Sequence, residues 1–426
     1  MKKVLISLGL SVCVILCWVI AISSKTNDNT AEMVKYYEDL CDEQLKMEGY
    51  GMAIKCMKQV VSLEDTVEKN MKLAEVYYKA QQVTKYIDTL EGMIDKFPDD
   101  ITAYEELSNY YYKLCCYKEC LQVVKSALNS GITNDDFTAK YYECSYKYST
   151  VSSCFTEAGN FSNGYSVVKY GEKYGILTAK MKNRYDMFEY ADIFSDGIAA
   201  VTLDGKTYFI DESGVKYLAV DDDVVRAYSF SEGYAVIEKS NGKYSYIGTN
   251  GKVAFGDYLY ATKFSNGVAA VCDKDGWKII DSTGNKVVEQ VFKDVKVSED
   301  NYCSRMGVIF VSDGKGYYLI NTKGKKLGEE IFDEVEPFYT GNFAAVCKKD
   351  KWGFLSVNGE LTTPCSLEGA RSFGGDIAAF CENGKWGFMI SSGKVVIEPT
   401  FDDAKCFSEN KAPIKVKDDW MYISLP

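Results

Sequence analysis

An aromatic residue in a turn recurs at a nearly constant spacing through the last two thirds of the chain. Most copies begin a Phe-Ser-x-Gly turn or a close relative of it, and successive copies lie 33 to 38 residues apart. A period of this length is typical of architectures in which each repeat contributes one supersecondary unit. We call these residues anchors: Phe161, Phe194, Phe230, Phe264, Phe338, Phe373 and Phe407, with Tyr302 in a longer unit.

Two further features recur with the anchor. A small residue and a large apolar residue stand three and six positions before it, as Ala404 and Phe401 do before Phe407. An apolar strand follows the anchor, and a turn then leads to an aromatic slot at the start of another strand. The slot is filled by Tyr174, Thr207, Tyr244, Trp277, Tyr317, Trp352, Trp386 and Trp420, of which Thr207 departs from the pattern.

A Trp-Gly dipeptide occupies the slot twice, as Trp352-Gly353 and Trp386-Gly387, and Tyr174-Gly175 is close to it. With these motifs the chain resembles the WG-repeat family, bacterial proteins built from tandem Trp-Gly motifs. The resemblance implies an interaction domain over residues 149–426. It identifies no ligand.

We interpret the recurring residues as structural. Regular recurrence at one strand position is what core packing demands, so each large ring is expected to wedge between neighbouring sheets. The glycine after the ring would then permit close sheet approach. The alternative is a stacking platform for sugars or peptides. The repeat-defining residues are Tyr174, Tyr244, Trp277, Tyr317, Trp352, Gly353, Trp386, Gly387 and Trp420.

Each repeat has room for about three short strands, which cannot bury both of their faces alone. We expect a closed, propeller-like ring of about eight three-stranded units, with a β-solenoid as the alternative. The ends of the domain favour the ring. The last unit stops at Pro426 without its third strand, whereas the segment from Phe155 to Phe161 resembles a third strand without the first two. Phe155 is therefore expected beside Trp420.

A helical pattern precedes the β repeats. Leu73-Ala74-x-x-Tyr77 returns 34 residues later as Leu107-Ser108-x-x-Tyr111, and Pro98 closes the first unit. This section resembles tetratricopeptide repeats, which implies recognition of protein segments in a concave groove. Generic helical hairpins are the alternative. A degenerate unit is predicted before these two, and a capping helix over 139–148.

An uncharged run of 21 residues extends from Val4 to Ser24, behind Lys2 and Lys3. A helix needs about 20 apolar residues to cross a bilayer, so the run predicts a transmembrane anchor. The two lysines keep the N-terminus inside, which places the remainder outside the cytoplasmic membrane. The alternative is a cleaved signal peptide and a secreted protein.

The predicted chain is therefore an α+β multidomain protein. Its parts are an anchor or signal peptide over 1–25, a linker over 26–30, tetratricopeptide-like helices over 31–148 and an all-β domain over 149–426.

The composition excludes several kinds of catalytic and metal site. The chain contains no histidine, which removes Ser-His and Cys-His nucleophile pairs and imidazole zinc sites. The net charge is −12 and no Lys/Arg-rich block stands out, so nucleic acid is not an expected partner. Acidic runs such as Asp221-Asp222-Asp223, Asp402-Asp403 and Asp418-Asp419 lack the spacing of a calcium loop, and we expect them to cap turns. No metal, cofactor or catalytic residue is predicted.

The fifteen cysteines show no disulfide pattern. Cys272, Cys347 and Cys381 each follow an apolar strand at the same repeat position, where small buried hydrophobic residues explain the recurrence. We expect mostly free thiols.

These features predict a non-catalytic, membrane-anchored scaffold that binds protein partners outside the cytoplasmic membrane. One alternative is a module that binds carbohydrate or cell-wall glycan. A second is a carboxylate-based hydrolase, which would place two carboxylates about 5–10 Å apart in a central pocket.

Overall fold

The computed structural model describes residues 29–151 and 154–426. Two compact units divide the chain, a helical one that ends at Ser145 and a β unit over Tyr146–Pro426. The predicted anchor over 1–25 lies outside the described residues. Of the helices that the structure describes, none is both long enough and apolar enough to traverse a bilayer.

Seven helices lie in the described part of the helical unit. Polar side chains cap several of them: the hydroxyl of Thr66 accepts from the Lys69 amide at 3.3 Å, and the Asp100 carboxylate from the Thr102 amide at 2.9 Å. The helices are α1 (29–46), α2 (Tyr50–Leu63), α3 (Val67–Lys79), α4 (Val83–Lys96), α5 (Ile101–Lys113), α6 (Tyr117–Asn129) and α7 (Asp135–Tyr146).

The helices pack as antiparallel neighbours through the recurring residues. Leu73 and Ala74 of α3 and Leu107 of α5 are buried in one core. Tyr86 stands where a tetratricopeptide repeat has a small residue. It is buried in α4, and its hydroxyl donates to Glu106 of α5 at 2.7 Å, so the larger side chain links the two hairpins.

The capping helix was predicted over 139–148, and these bounds are wrong. Helix α7 begins at Asp135 because the side-chain oxygen of Asn134 accepts from the Phe137 amide at 2.7 Å, which caps the helix earlier. It ends at Tyr146, and a short strand begins at Ser149.

Eight antiparallel sheets form the β unit as consecutive blades of a propeller. Within each blade the strands follow one another from the inside outwards, so the chain steps from blade to blade around the ring. The predicted ring is confirmed, and the solenoid alternative is wrong.

The strand bounds repeat from blade 1 to blade 8. The inner strands are Glu157–Ala158, Tyr190–Ala191, Val224–Ala227, Tyr260–Ala261, Asp294–Val295, Glu334–Val335, Gly369–Ala370 and Asp403–Ala404. The second strands are Tyr165–Tyr170, Ile198–Leu203, Tyr234–Lys239, Ala269–Asp273, Val308–Ser312, Phe343–Lys348, Ile377–Glu382 and Lys411–Val416.

The outer half of each blade contains the slot and the last strand. The third strands are Lys173–Thr178, Lys206–Asp211, Tyr244–Gly248, Gly276–Ile280, Tyr317–Asn321, Lys351–Ser356, Lys385–Ile390 and Asp419–Ser424. The outer strands are Asn183–Phe188, Lys216–Ala219, Val253–Tyr258, Lys326–Phe332, Leu361–Leu367 and Val395–Phe401, with Ser149–Thr150 in blade 8. Blade 4 replaces its outer strand with isolated bridges from Phe292 and Lys286.

The prediction of three strands per unit is wrong, because seven of the sheets have four. The additional strand is innermost and usually two residues long. In blade 8 only Asp403 and Ala404 pair with the second strand before the chain reaches the anchor Phe407. Such a short pairing leaves almost no alternation of polar and apolar residues, so the sequence reads as a bend.

The ring closes where the sequence predicted. The Phe155 amide donates to the Trp420 carbonyl at 2.8 Å, and the Trp420 amide donates to the Phe155 carbonyl at 2.9 Å. Behind this bridge the buried hydroxyl of Tyr422 donates to the Gly159 carbonyl at 2.7 Å and lies 2.6 Å from the hydroxyl of Ser166. The N-terminal strand therefore completes blade 8 and removes two open sheet edges.

We name the two faces of the propeller by their loops. The turn face carries the anchor turns, and the slot face carries the loops that precede the aromatic slots. In blade 1 the anchor turn places Asn163 and Gly164 at φ values of 53° and 79°, as a tight hairpin requires. The Gly164 amide donates to Glu409 of blade 8 at 3.0 Å, so neighbouring turns also bond to each other.

Candidate binding surface at the propeller axis

The slot residues lie at the start of the third strands. Each pairs with a residue near the end of the second strand, as Trp352 does with Cys347 and Trp386 with Cys381. The rings are half-buried, apart from Tyr244, which is 9% exposed. Trp352 of blade 6 packs against the cluster that contains Phe373 of blade 7. The same placement between a blade and its successor holds for Tyr174, Tyr244, Trp277, Tyr317 and Trp420.

Several slot rings also contact a cation near the axis. The distance from the cation to the ring centroid is 4.9 Å for Arg371 over Trp386 and 5.5 Å for Lys405 over Trp420. Lys296 lies 6.0 Å from the centroid of Tyr317. Such contacts contribute about 0.5–2 kcal/mol each. A slot ring therefore joins the apolar core of a blade to the charged side chains around the axis.

The glycine of the Trp-Gly motif lies where the backbone of the outer strand leaves no room for a side chain. A Cβ atom at Gly387 would lie 2.5 Å from the Ile397 carbonyl oxygen, and one at Gly353 would lie 2.4 Å from that of Thr363. The pairing of the third and outer strands shifts register at both glycines. The close approach thus occurs within a blade, where the outer strand bulges across the third.

Acidic residues on the slot face cap hairpins. In four blades the acid five residues before the anchor accepts a hydrogen bond from the loop between the second and third strands. The pairs are Glu189 with the Gly205 amide, Asp333 with that of Lys349, Glu368 with that of Gly384 and Asp402 with that of Lys417, at 2.6–3.1 Å. Asp402 thus caps a neighbouring loop, whereas Asp403 accepts from the adjacent Ala404 amide at 2.8 Å.

Blades 6 to 8 carry a chain of ion pairs around the axis. Arg371 of blade 7 lies 3.0 Å from the Glu336 carboxylate of blade 6 and 3.5 Å from the Asp403 carboxylate of blade 8. The Arg371 guanidinium thus links a carboxylate of blade 6 to one of blade 8.

The longer fifth unit supplies a plug, residues 298–306, on the turn face. Glu299 reaches Lys405 of blade 8 at 2.6 Å, and Lys263 of blade 4 donates its amide to the Asn301 carbonyl at 2.8 Å. The ring of Tyr302 lies between Lys263, 4.6 Å from its centroid, and Arg305, at 4.3 Å. The Glu299–Lys405 pair joins blades 5 and 8, which are not neighbours, so the plug crosses the axis.

A buried ion pair supports the plug. Lys263 is 1% exposed, and its Nζ lies 3.2 Å from the Asp192 carboxylate of blade 2. The same carboxylate accepts from the Ser229 amide of blade 3 at 2.8 Å. Burial lowers the pKa of Lys263, but the charge of Asp192 and its hydrogen bond, together with Tyr302 and Asp300, more than offset this effect and raise that pKa above its usual value. The lysine therefore stays charged and ties blades 2, 3 and 4 together.

In blades 2 to 4 three tyrosines and one arginine accompany the buried Asp192–Lys263 pair around the axis. Tyr190 lies 6.3 Å from Tyr228 between ring centroids, and Tyr260 lies 5.0 Å from Tyr244. The Arg226 guanidinium lies 4.9 Å from the centroid of Tyr190. Burial lowers the pKa of Arg226. The hydrogen bond that its guanidinium donates to the Tyr228 hydroxyl, together with the charge interactions of Tyr228, Tyr190 and Glu238, more than offsets this effect and raises that pKa.

Sequence reasoning did not find the residues around the axis. Arg226 lies in an inner strand, and Arg371 and Lys405 directly follow one. Nothing in their local pattern distinguishes them from exposed cations. The plug did leave a signal, since the gap before its anchor Tyr302 is the longest in the series. In residues 29–151 and 154–426 no three His, Cys, Asp or Glu side chains converge as metal ligands. The described cysteines are free thiols.

Two solved structures resemble the chain at low identity. BamB from Moraxella catarrhalis is 11% identical with a TM-score of 0.44, over 66% of this chain and 100% of that one. The Pan2 WD40 domain of Neurospora crassa is 10% identical with a TM-score of 0.38, over 66% and 96%. No curated protein matches the sequence.

The model of the WG-containing repeat matches the chain five times. The matched segments are 155–174, 225–244, 319–352, 352–386 and 386–420. Their shared ends fall on the slots at Trp352 and Trp386, and together they run from the first blade to the last. The chain therefore belongs to the family of proteins with WG-containing repeats.

Proposed function

We propose that this protein is a non-catalytic scaffold that binds other proteins through its propeller and its helical hairpins. A propeller with WG repeats fits a binding role in general. The observation that carries the proposal is the plug across the axis. Small-molecule sites are concave pockets, and on the turn face Tyr302, Arg305 and Glu299 occupy the place of such a pocket. The rigid faces of the ring then serve as the contact surface.

The helical hairpins offer a second surface. Tyr78 of α3 is 50% exposed, and its ring lies 5.1 Å from Tyr86 and 6.2 Å from Tyr110 between centroids. Tyrosine is enriched where protein partners bind most tightly. The resemblance of these helices to tetratricopeptide repeats supports the same role.

A photo-crosslinking experiment tests this function in the full-length chain expressed in a bacterial host. A photoreactive phenylalanine replaces Tyr78 in the helices, Val416 on the slot face or Leu361 at the outer rim, which is the control. We expect discrete crosslinked protein products from the first two positions and none from the third. Equal labelling at all three positions, or products that contain only glycan, would contradict a protein scaffold.

The location is part of the proposal. The apolar run over 4–24 would hold the chain in the cytoplasmic membrane with both units outside. Protease added to intact spheroplasts should then digest the helical and β units. Protection of both units until the membrane is permeabilised would contradict this topology. If the mature protein begins near Ser24, the apolar run is a cleaved signal peptide and the protein is secreted.

A further inference from the structure

The slot face differs between the two halves of the propeller. In blades 5 to 8 the inner strands carry charged residues, and their ion pairs are internal, as Arg371 shows with Glu336 and Asp403. In blades 2 to 4 the equivalent positions carry three tyrosines, Thr262, one cation, Arg226, and one acid, Asp192, which is paired with the buried Lys263. Because all eight blades share one backbone plan, this difference does not follow from the requirements of the fold.

The cation of this half lacks an ion pair. Arg371 and Lys405 each lie within 4.0 Å of a carboxylate, whereas Arg226 is in no ion pair among the described residues of the propeller. Its neighbour across the strands is Glu238, whose carboxylate accepts a hydrogen bond from the Tyr244 hydroxyl. The exposed guanidinium therefore retains donors for a carboxylate from outside.

Exposed aliphatic residues lie on the slot face of blades 3 and 4. The position five residues before the anchor is an acidic cap in four blades, but it is Val225 in blade 3 and Leu259 in blade 4, each 49% exposed. In these two blades other hydrogen bonds stabilise the hairpin between the second and third strands. The Ser240 amide donates to the Asp223 carbonyl at 2.7 Å, and the Asp275 amide donates to the Asp273 carboxylate at 2.9 Å.

We propose that these residues form a docking surface for a segment of a partner protein in which a carboxylate side chain is flanked by apolar side chains. We name it the tyrosine–arginine patch: Tyr190, Val225, Arg226, Tyr228, Leu259 and Tyr260. The inference rests on the proposed scaffold function and names one of its contact sites.

The residues of the patch favour a carboxylate flanked by apolar side chains as the ligand. An arginine over a tyrosine ring presents its donors in a fixed plane, which suits a carboxylate, and Tyr and Arg dominate the energetics of protein interfaces. An acidic sugar could also bind the guanidinium. The exposed Val225 and Leu259 favour a peptide, because hydroxyl-rich sugars would lose hydration against aliphatic side chains.

The test uses the purified full-length chain in detergent and a phage-displayed library of random dodecapeptides. We expect enrichment of peptides with Asp or Glu between apolar residues. Substitution Arg226→Gln should lower the affinity for a selected synthetic peptide about 10- to 100-fold. A change of this size is usual when a hydrogen bond to a charged group is removed. When the Asp or Glu of the peptide is replaced with Asn or Gln, the wild type and Arg226→Gln should bind the peptide with equal affinity. Arg226→Lys should give a smaller loss, and Leu259→Ser should also weaken binding.

Lys293→Gln is the matched control, since Lys293 is an exposed cation on the slot face of blade 5, at the position equivalent to Val225. It should leave peptide binding unchanged. Thermal melting of each variant separates lost binding from lost folding.

Selected peptides that bind Arg226→Gln and Leu259→Ser as tightly as the wild type would overturn the patch and leave the scaffold function intact. If no peptide is enriched, the inference also fails. Saturable binding of a uronic acid oligosaccharide that depends on Arg226 would overturn both proposals.

Discussion

At the scale of single residues, the glycine of the Trp-Gly motif permits a close approach of two strands within its blade. Substitution Gly387→Ala would place a Cβ atom 2.5 Å from the Ile397 carbonyl oxygen, and only a shift of the outer strand could relieve the overlap. We expect a loss of about 1–3 kcal/mol in the free energy of unfolding, measured by denaturant titration. Ser392→Ala, at an exposed position in the adjacent turn, is the control. Equal stability of the two variants would argue against the close approach.

A carboxylate that caps a loop gives a pH-dependent effect. The hydrogen bond from Lys385, followed by that from the Lys417 amide, lowers the pKa of Asp402 below its usual value of 3.8. A lowered pKa stabilises the fold above pH 3.8, and this contribution is lost as the pH falls through the pKa of the folded state. Asp402→Asn should therefore lower the melting temperature near neutral pH and match the wild type at about pH 2.

The control for this prediction is Asp222→Asn, an exposed loop position. Its melting temperature should follow the wild type at every pH. A deficit of Asp402→Asn that stays constant from neutral to acidic pH would show that the lost contact is steric rather than ionic.

At the scale of elements, the plug depends on one aromatic ring between two cations. Tyr302→Leu keeps an apolar side chain but removes both cation–π contacts, so we expect a loss of about 1–2 kcal/mol in the free energy of unfolding. Tyr302→Phe keeps the ring and loses only a hydroxyl contact with Ser231 of 3.4 Å. It should remain close to the wild type. If Phe and Leu destabilise equally, the cations do not hold the plug.

The elements also show where sequence reasoning reaches its limit. The second and third strands were predictable, because each has several apolar residues and a turn at a fixed distance from the anchor. The inner strand was not, since two residues such as Asp403 and Ala404 carry no period. The plug was visible only as extra length, because its partners Lys405 and Lys263 belong to blades distant in the sequence.

At the scale of the whole molecule, the propeller depends on its closure. Tyr422→Phe removes a buried hydroxyl that bonds the last blade to the Gly159 carbonyl and Ser166 of the first. We expect a loss of about 0.5–1.5 kcal/mol, the net contribution of one hydrogen bond, because the Gly159 carbonyl still accepts from the Ser166 hydroxyl at 2.7 Å. These contacts span the longest loop of the chain and should form late in folding. The loss should therefore appear as faster unfolding with an unchanged refolding rate.

Stopped-flow kinetics would check this expectation, with Tyr217→Phe as the control because Tyr217 is 57% exposed. Slower refolding of Tyr422→Phe would instead place the closure in the folding nucleus.

The ring itself was predictable from the ends of the domain. An incomplete last repeat and an isolated strand at Phe155 complement each other, and the structure pairs Phe155 with Trp420. The tyrosine–arginine patch was not predictable. Its members come from three blades, and only the fold brings Tyr190, Arg226 and Leu259 to one face.

The pairing of Phe155 with Trp420 has a consequence for synthesis. The ribosome completes Phe155 long before it reaches Trp420, and at 5–20 residues per second the delay is on the order of tens of seconds. During that time the strand at the start of the domain has no partner, and the growing nascent chain presents an open edge. Crowded polysomes should therefore be the setting in which this protein is most prone to pair with a neighbouring copy.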